Sequence, residues 1–482
     1  MLVIRRGAAI AAAMAIALGT TRIAGAGRES AASPPADVAI RKILADRLEA
    51  LGGSANGIGI VVGIVEPGGR RIVASGLRGQ RDPPVAGDTL FEIGSITKVF
   101  TGLLLADMVQ RGEVGLDDPV AKHLPAHVTV SRRSGRAITL LDLATHASGL
   151  AFMPDDLPAF DDPAGSSYSK SRLYEFLARC DSSTDAGTTW GYSNVGYWLL
   201  GEALASRAGT DYESLLLTRV LAPLGLKDTV TTVSQALKSR LAVGHNAALQ
   251  PAPYVPSIPV YSLMPAAGGL LSTVNDLLAF LSLSLGDRRS PLAPAMTAML
   301  ATRRPKEAVR EFQAIGWVVI GEGEDQIVFH DGGTMGFASA VAWDPARRVG
   351  IVALSNQMSG VSDLARHLLQ AGFPLEAPKA TKRTEIALDA EVLDTYAGQY
   401  EEEDEGIFVV HHEGGGLTIR LPVSWGLPPL RLRPESRRDF FAAELPLRVT
   451  FEADGDGRIT GMLVQPPRGQ HVIATRRIGV VN

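Results

Sequence analysis

The feature that most limits how this chain can fold is a lysine at the start of an apolar helical segment. Residues 91–98 read Phe-Glu-Ile-Gly-Ser-Ile-Thr-Lys, and residues 99–109 continue as Val-Phe-Thr-Gly-Leu-Leu-Leu-Ala-Asp-Met-Val. So few polar side chains predict a helix that is buried on most sides. Ser95 is a residue type that opens helices, and Lys98 lies one turn later on the same face. A lysine buried there is costly unless it has partners or loses its proton.

Two interpretations of Ser95 and Lys98 follow from this segment. In the first, the lysine nitrogen lies within reach of the Ser95 hydroxyl and turns a weak nucleophile into a strong one. In the second, Ser95 is a helix N-cap and Lys98 extends into solvent. The same spacing recurs at Ser167 and Lys170, but in a polar stretch, which predicts only a loop and the start of a helix.

Composition limits the class of protein. A chain of 482 residues with 46% hydrophobic and 20% charged residues is typical of a globular protein with two or three domains. The net charge is −4 and no dense Lys/Arg stripe occurs, which argues against nucleic acid or an anionic membrane surface as a partner. Cys180 is the single cysteine, so no internal disulfide can form.

The N-terminus has the pattern of a signal peptide. Arg5 and Arg6 precede a short apolar run, and Ala24-Gly25-Ala26 gives a small-x-small cleavage site. The run is too short to span a membrane, and no later stretch is long enough. We expect a signal peptide at 1–26 and a linker at 27–37, hence an exported protein, periplasmic or extracellular, with no stable membrane span after signal removal. An uncleaved anchor is the alternative.

Hydrophobic periodicity divides the rest of the chain into two parts. Residues 38–372 mix helical and strand patterns, residues 373–386 are predicted to be a linker, and residues 387–482 form a small β-sandwich or barrel. In the first part, helices are predicted at 95–112, 138–145 with Thr139 as cap, 195–208, 272–285 and 361–371. Strands are predicted there at 57–66, 70–75, 316–320, 326–330, 338–343 and 350–354. In the second part, a helix is predicted within 387–396 and strands at 406–410, 417–421, 439–441, 447–451, 459–464 and 472–476.

Several common catalytic motifs are absent from the sequence. There is no G-x-S-x-G, no H-E-x-x-H and no P-loop, and the nine histidines are scattered. Gly268-Gly269 lacks the setting of a dinucleotide site. No metal and no cofactor are therefore expected.

The segment Tyr192-Ser193-Asn194 is a second candidate. A tyrosine near Lys98 can carry a proton between Ser95 and a leaving group, and the Asn194 amide can hold both a substrate carbonyl and Lys98. The alternative is a helix N-cap beside a packed tyrosine.

The third candidate is His330-Asp-Gly332-Gly333, on a predicted strand. Glycine inside a strand often marks close approach of a ligand. The Gly333 N–H and the Ser95 N–H could together bind an oxyanion, with His330 facing an anionic group of the substrate. The alternative is a tight turn with a solvated histidine. His412-Glu-Gly414 repeats the pattern, but is predicted to be the turn of a hairpin.

The three segments in this order resemble the serine β-lactamase and penicillin-binding protein superfamily, over about residues 38–372. The class C β-lactamase branch, with its related D-alanyl-D-alanine carboxypeptidases and esterases, is the most similar. The resemblance implies a mixed α/β fold: an antiparallel sheet flanked by helices, a helical region on one side and the catalytic cleft between them. The C-terminal β part resembles modules appended to such hydrolases.

The resemblance also implies roles for the matching residues. Ser95 would be the acylated nucleophile, with Lys98 and Tyr192 as general base and proton relay. Asn194 would orient substrate and Lys98, and the N–H groups of Ser95 and Gly333 would form the oxyanion hole. His330 and Gly332 would line the substrate-binding side of the cleft.

One departure from the family pattern bears on the substrate. His330-Asp-Gly332 stands where class C enzymes have Lys-Thr-Gly, and histidine titrates near ~6.5 whereas lysine stays charged. The hold on a substrate carboxylate should be weaker or pH-dependent. The expected substrates are small molecules or peptides: β-lactams or D-Ala-D-Ala-type peptides. The alternatives are a small-ester hydrolase and a penicillin-recognising binding protein with little turnover.

Overall fold

The structure is a computed structural model, and its described residues form two compact units. It describes residues 33–53, 56–130, 136–157, 169–180, 184–252, 265–286, 289–306, 308–358, 360–377, 383–413, 415–422, 425, 427, 429–466 and 472–479. One unit contains the described residues up to 150 and from 169 to 383, and the other contains 151–157 and 384–479. The predicted signal segment, Ser167 and parts of both predicted linkers lie outside the described residues.

An eight-stranded antiparallel sheet forms the framework of the first unit. Its strands, in spatial order, are Gly69–Gly76, Gly59–Glu66, Val349–Ser355, Ala338–Asp344, Ile327–Gly333, Val318–Ile320, Glu311–Gln313 and Arg304–Pro305. The register places Gly332 opposite Ser339 and His330 opposite Val341. The central strands are buried along their length, which fits their nearly continuous apolar sequence.

Helices cover both faces of this sheet. The described helices of the unit are Asp37–Ala50, Thr97–Gln110, Leu140–Ala144, Lys170–Arg179, Asn194–Ala208, Tyr212–Leu216, Ala222–Leu224, Gln235–Lys238, Pro265–Gly268, Val274–Ser284, Ala293–Met299 and Ser362–Leu369. Short 3-10 turns lie at Gly94–Ile96, Val120–His123 and Gly323–Asp325, and a π-helical turn at Leu217–Leu221. On one face, Ile40, Leu44 and Leu48 of the first helix recur every four residues and pack into the sheet core.

Glycines let the helix Val274–Ser284 approach the opposite face. A Cβ on Gly63 would lie 2.5 Å from Val274 Cγ1, and a Cβ on Gly350 would lie 3.0 Å from Leu281 Cδ1. Larger residues at these strand positions would push the helix away. The sheet is therefore enclosed between two helical layers.

The helix Thr97–Gln110 is buried as its sequence predicts. Most of its residues have little or no exposure, and Phe100 packs on Phe280 with ring centroids 4.9 Å apart. It starts after the turn Gly94–Ile96, where Gly94 has a φ of +48°. A Cβ on Gly94 would lie 2.8 Å from Gly333 N, so this turn packs directly on the end of the strand Ile327–Gly333. That contact brings the sheet edge to the start of the helix.

The other predicted elements are present with shifted ends. Thr139 is the N-cap of Leu140–Ala144, in a capping box with Asp142, as predicted. The predicted helix 272–285 begins only at Val274, because Leu271–Ser272 instead pairs with Phe91–Glu92 as a two-stranded ladder. No helix in the described ranges is long and apolar enough to cross a membrane.

The second unit is a closed eight-stranded barrel, one of the two architectures that the sequence predicts. Its strands are Gly398–Glu402, Gly406–Glu413, Gly416–Arg420, Leu430–Pro434, Asp439–Ala442, Arg448–Ala453, Ile459–Gln465 and Ile473–Gly479. The first and fourth of these strands are absent from the prediction. The hairpin predicted here is present, but the placement of His412 in its turn is wrong: His412 still lies on the strand, opposite Leu417. Closure leaves this sheet no free edge.

Candidate active site

Ser95 lies in the turn that joins the short strand Phe91–Glu92 to the helix Thr97–Gln110. Its Oγ accepts hydrogen bonds from Lys98 Nζ at 3.0 Å and from Tyr192 OH at 2.7 Å. The helix has no side-chain cap hydrogen bond at its N-terminus. The N-cap interpretation of Ser95 is therefore wrong, because its hydroxyl is used by other side chains.

Lys98 is fully buried, so the interpretation in which it extends to solvent is also wrong. Besides Ser95, its Nζ contacts Asn194 Oδ1 at 2.7 Å and the Ala267 carbonyl oxygen at 2.6 Å. It also lies 4.9 Å from the ring centroid of Tyr192. Burial lowers the pKa of Lys98 well below its ordinary value, since desolvation disfavours the charged ammonium.

The segment Tyr192-Ser193-Asn194 fits both interpretations: it is a helix N-cap, and it also places side chains at Ser95 and Lys98. Ser193 is the N-cap of the helix Asn194–Ala208, and its Oγ accepts from Gly196 N at 2.8 Å. Because this cap fixes the start of the helix, the flanking side chains are held in place. Tyr192 reaches Ser95 and Asn194 reaches Lys98.

Gly332 marks the point where the strand Ile327–Gly333 meets the Ser95 turn. A Cβ at this position would lie 2.1 Å from the Ile93 carbonyl oxygen and 2.8 Å from Ser95 N. The same Ile93 carbonyl accepts a hydrogen bond from Ser339 Oγ at 2.8 Å. Backbone amides of the strand end and of the Ser95 turn are thus held close together.

His330 is buried on this strand, so the alternative of a solvated histidine in a turn is wrong. Its Nδ1 lies 2.8 Å from the Asp331 carbonyl oxygen, to which it donates as a neutral imidazole. Burial above all, and then the charges of Lys98 and Lys306, lower the pKa of His330 to about 3. The expected titration of this group in the neutral range is therefore also wrong.

His146 belongs to the same cluster, although its sequence context predicts only the end of a helix. It has a φ of +53°, and its Nδ1 accepts from Ser193 N at 3.1 Å. Its ring stacks on Tyr192 with centroids 4.2 Å apart. Burial, which disfavours the charged imidazolium, lowers the pKa of His146 well below its ordinary value. A neutral His146 therefore packs against the ring of Tyr192.

Two further side chains near His146 have no signal in the sequence. Trp190 donates from Nε1 to Gln313 Oε1 at 3.2 Å, and Lys306 Nζ lies 4.6 Å from the Trp190 ring centroid. No motif surrounds either residue, so only the fold could associate them with His146. Within the described ranges, no group of three His, Cys, Asp or Glu side chains could hold a metal ion.

A serine that receives hydrogen bonds from a buried lysine and a tyrosine, beside an antiparallel sheet flanked by helices, defines the class as a serine hydrolase. A family model described as Beta-lactamase matches residues 44–372, and the chain therefore belongs to that family. The predicted resemblance and fold class are confirmed. A second model, described only as a domain of unknown function, matches residues 382–476.

Named relatives agree with this assignment. The D-alanyl-D-alanine-carboxypeptidase/endopeptidase AmpH of Escherichia coli (strain K12) is 28% identical over 317 residues, covering 60% of this chain and 79% of AmpH. A β-lactamase of Pseudomonas fluorescens is 25% identical over 350 residues, covering 66% of this chain and 94% of that β-lactamase. A class C β-lactamase from Rhodobacter sphaeroides, known from its crystal structure, is 27% identical in sequence to this chain. The two structures match with a TM-score of 0.57, covering 68% of this chain and 97% of the β-lactamase.

Proposed function

We propose that this chain is an exported serine hydrolase that forms an acyl-enzyme on β-lactams or on D-Ala-D-Ala-type peptides. The observation that carries the proposal is the position of Ser95 Oγ, 3.0 Å from Lys98 Nζ and 2.7 Å from Tyr192 OH. Family membership and similarity to both AmpH and class C β-lactamases support this substrate range. The N-terminal segment supports export on sequence grounds alone.

Burial lowers the pKa of Lys98 and so favours its neutral form as the proton acceptor, and its contacts are compatible with that form. Asn194 Oδ1 and the Ala267 carbonyl can only accept hydrogen bonds, and a neutral amine has two N–H groups to give them. For proton transfer the Ser95–Lys98 hydrogen bond reverses: the amine lone pair is directed to Ser95, and the Ser95 hydroxyl donates to it. Lys98 thus accepts the Ser95 proton.

The reaction proceeds in two balanced steps. Ser95 Oγ bonds to the substrate carbonyl carbon while its proton passes to Lys98. The carbon–nitrogen bond then breaks as Tyr192 transfers its proton to the leaving nitrogen and receives the Lys98 proton in replacement. Water next attacks the ester carbon as it gives a proton to Lys98, the bond to Ser95 Oγ breaks, and Lys98 passes that proton to Ser95 Oγ.

The charge that develops on the substrate oxygen needs donors at fixed positions. We assign these to the backbone N–H groups of Ser95 and Gly333, which Gly332 and Gly94 allow to approach each other. Asn194 would donate to a substrate carbonyl while it holds Lys98. His330 would face the substrate as a neutral hydrogen-bonding group.

A small-ester hydrolase is the second candidate, and the neutral state of His330 favours it. Esters need no cation for recognition, and His330 replaces the lysine of the family pattern with a group that is uncharged at neutral pH. A third candidate is a binding protein that is acylated by penicillin and turns over slowly. Penicillin-binding protein 4 of Amycolatopsis lactamdurans, 27% identical over 345 residues, is a relative with that name.

A three-substrate panel tests the proposal. The exported protein, expected to begin at Gly27, is given a chromogenic cephalosporin, a D-Ala-D-Ala peptide and a short-chain aryl ester. Cleavage of either of the first two supports the proposal, ester cleavage alone supports the esterase, and a stable penicillin adduct supports the binding protein. Ser95→Ala should lower kcat by roughly 10⁴- to 10⁶-fold. If it did not, Ser95 would not be the nucleophile.

A further inference from the structure

His146 follows the helix Leu140–Ala144 in a backbone conformation that is uncommon for residues other than glycine. Its φ of +53° lies in the left-handed region. Such a conformation costs free energy and persists only where the surrounding contacts hold it, as they often do at functional sites. The contacts of His146 all lead to the segment around Tyr192.

Two hydrogen bonds join His146 to the residues on either side of Tyr192. Its carbonyl accepts from the Gly191 N–H at 2.7 Å, and its Nδ1 accepts from the Ser193 N–H at 3.1 Å. The imidazole also stacks on Tyr192, with ring centroids 4.2 Å apart and an interplanar angle of 29°. One residue therefore contacts the backbone before Tyr192, the backbone after it, and its ring.

The imidazole is itself enclosed and is only 1% exposed. Trp190 meets it edge to face with ring centroids 6.4 Å apart, and the Tyr197 ring lies at 5.0 Å. Tyr197 is anchored in turn, because its OH donates to the Ala144 carbonyl at 2.7 Å. The Tyr192 ring thus packs against a side chain that other rings hold in place.

The hydrogen bond from Ser193 requires a neutral imidazole. An imidazolium donates from both ring nitrogens and cannot accept from an N–H. Burial above all, and then the charges of Lys98, His330 and Lys306, lower the pKa of His146. The ring therefore stays neutral at neutral pH and keeps this contact.

Tyr192 has a defined task in the proposed mechanism, since its OH gives a proton to the leaving nitrogen. Its OH lies 2.7 Å from Ser95 Oγ, where that leaving group departs. An amine is a poor leaving group without a proton, and a misplacement of about 1 Å can cost about 10²-fold in rate. The phenolate of an activated aryl ester leaves without a proton. The two kinds of bond should therefore depend on Tyr192 to different degrees.

We propose that His146 is a positioning residue that fixes Tyr192 for proton transfer to the leaving group. The inference rests on the proposed function and adds to it a residue that acts through Tyr192. It predicts that His146 matters more for amide bonds than for activated esters, although Ser95 and Lys98 serve both reactions.

The test compares kcat/KM, which reports acylation, for a D-Ala-D-Ala peptide and for the phenyl and p-nitrophenyl esters of one acid. His146→Gly removes the imidazole without backbone strain, because glycine adopts this φ readily. It should lower kcat/KM roughly 10- to 100-fold for the peptide, less for the phenyl ester, and at most about threefold for the p-nitrophenyl ester. His146→Asn also suits this backbone and offers an acceptor in place of Nδ1, so it should recover part of the loss.

A double variant separates positioning from a general structural effect. Tyr192→Phe should show the same order of losses over the three substrates. Adding His146→Gly to Tyr192→Phe should cause little further loss for the peptide, because the group that His146 positions is already absent. His367→Asn, on the helix Ser362–Leu369, is the control and should change no substrate.

Thermal melting of each variant shows whether it is folded. Should His146→Gly fail to melt cooperatively, His146→Asn carries the same comparison, with smaller losses in the same order. If the folded variant affects all three substrates equally or none, or if the losses in the double variant add, the inference is wrong while the proposed function stands. If the wild-type protein cleaves the esters but not the peptide, the proposed function fails, and the ester pair alone decides whether His146 positions Tyr192.

Discussion

Lys98 is charged in the unfolded chain at neutral pH, but it is fully buried in the folded protein. Its lowered pKa means that folding disfavours the ammonium, so this residue reduces stability at neutral pH. The contacts with Asn194 and Ala267 offset part of that cost. A buried amine held at this cost is expected where a proton acceptor is required.

His330 should make the protein sensitive to acid. In the unfolded chain its imidazole binds a proton below about pH 6.5, whereas in the folded protein its pKa is about 3. The unfolded state therefore binds more protons between these values, and stability falls as the pH drops through that window. The contribution is about 1.4 kcal/mol per pH unit.

Urea denaturation of wild-type protein and of His330→Gln from pH 7 to pH 4 measures this contribution. The variant should lose less stability over that interval, because it lacks the titrating ring. Parallel curves for the two proteins would mean that His330 is not the group responsible.

The predicted site residues have in common that their spacing within short segments is informative. Ser95 and Lys98 are one helical turn apart, and Tyr192 flanks a cap residue, so local rules apply to all three. His146 and Lys306 carry no such signal, since their places in the site depend on contacts with Trp190 and Tyr192 across the fold. Sequence reasoning finds local geometry but not these distant contacts.

At the scale of elements, the close contact between the strand Ile327–Gly333 and the turn Gly94–Ile96 requires that Gly332 has no side chain. Gly332→Ala would place a Cβ 2.1 Å from the Ile93 carbonyl oxygen and 2.8 Å from Ser95 N, and these two are backbone atoms that cannot rotate away. The strand must shift and the proposed oxyanion donors separate. We expect a loss in kcat of about 10²- to 10³-fold.

The neighbouring glycine supplies a matched comparison. A Cβ on Gly333 would meet only the Phe337 carbonyl, at 3.9 Å, so Gly333→Ala should be milder. Gly372→Ala, where nothing lies within 4 Å, is the control outside the site. Steady-state turnover of the aryl ester measures all three, and equal losses at Gly332 and Gly333 would contradict the steric argument.

Long helices and strands with a clear pattern of apolar residues could be predicted from the sequence, whereas very short elements could not. The helix Thr97–Gln110 and the central strands follow from their sequences because most of their residues are buried. The ladder between Phe91–Glu92 and Leu271–Ser272 has two residues on each side, too few to show a period. The strand Leu430–Pro434 alternates apolar and polar residues, but the prolines at its two ends are typical of a loop and hide that pattern.

At the scale of the molecule, the barrel is a closed set of paired strands with its own core. Its strands close on themselves, and Tyr400, Phe408 and Phe440 are fully buried. We propose that it is a separate domain and that a chain ending at Arg383 folds. Such a chain should melt cooperatively by circular dichroism and retain aryl ester turnover within a few-fold of the full chain.

The complementary fragment, residues 384–482, is the control and should also melt cooperatively. Loss of cooperative melting in the shorter chain would mean that the C-terminal residues complete the core of the first unit. Loss of turnover without loss of melting would instead assign the barrel a role in activity.

The edge segment 304–306 has a consequence for solubility. An exposed sheet edge offers unpaired N–H and C=O groups to other chains, and short strands, proline and lysine are the usual protection. Here the terminal strand Arg304–Pro305 is two residues long, ends in a residue without an N–H, and leads into Lys306. Resistance of this edge to self-association therefore depends on these three residues.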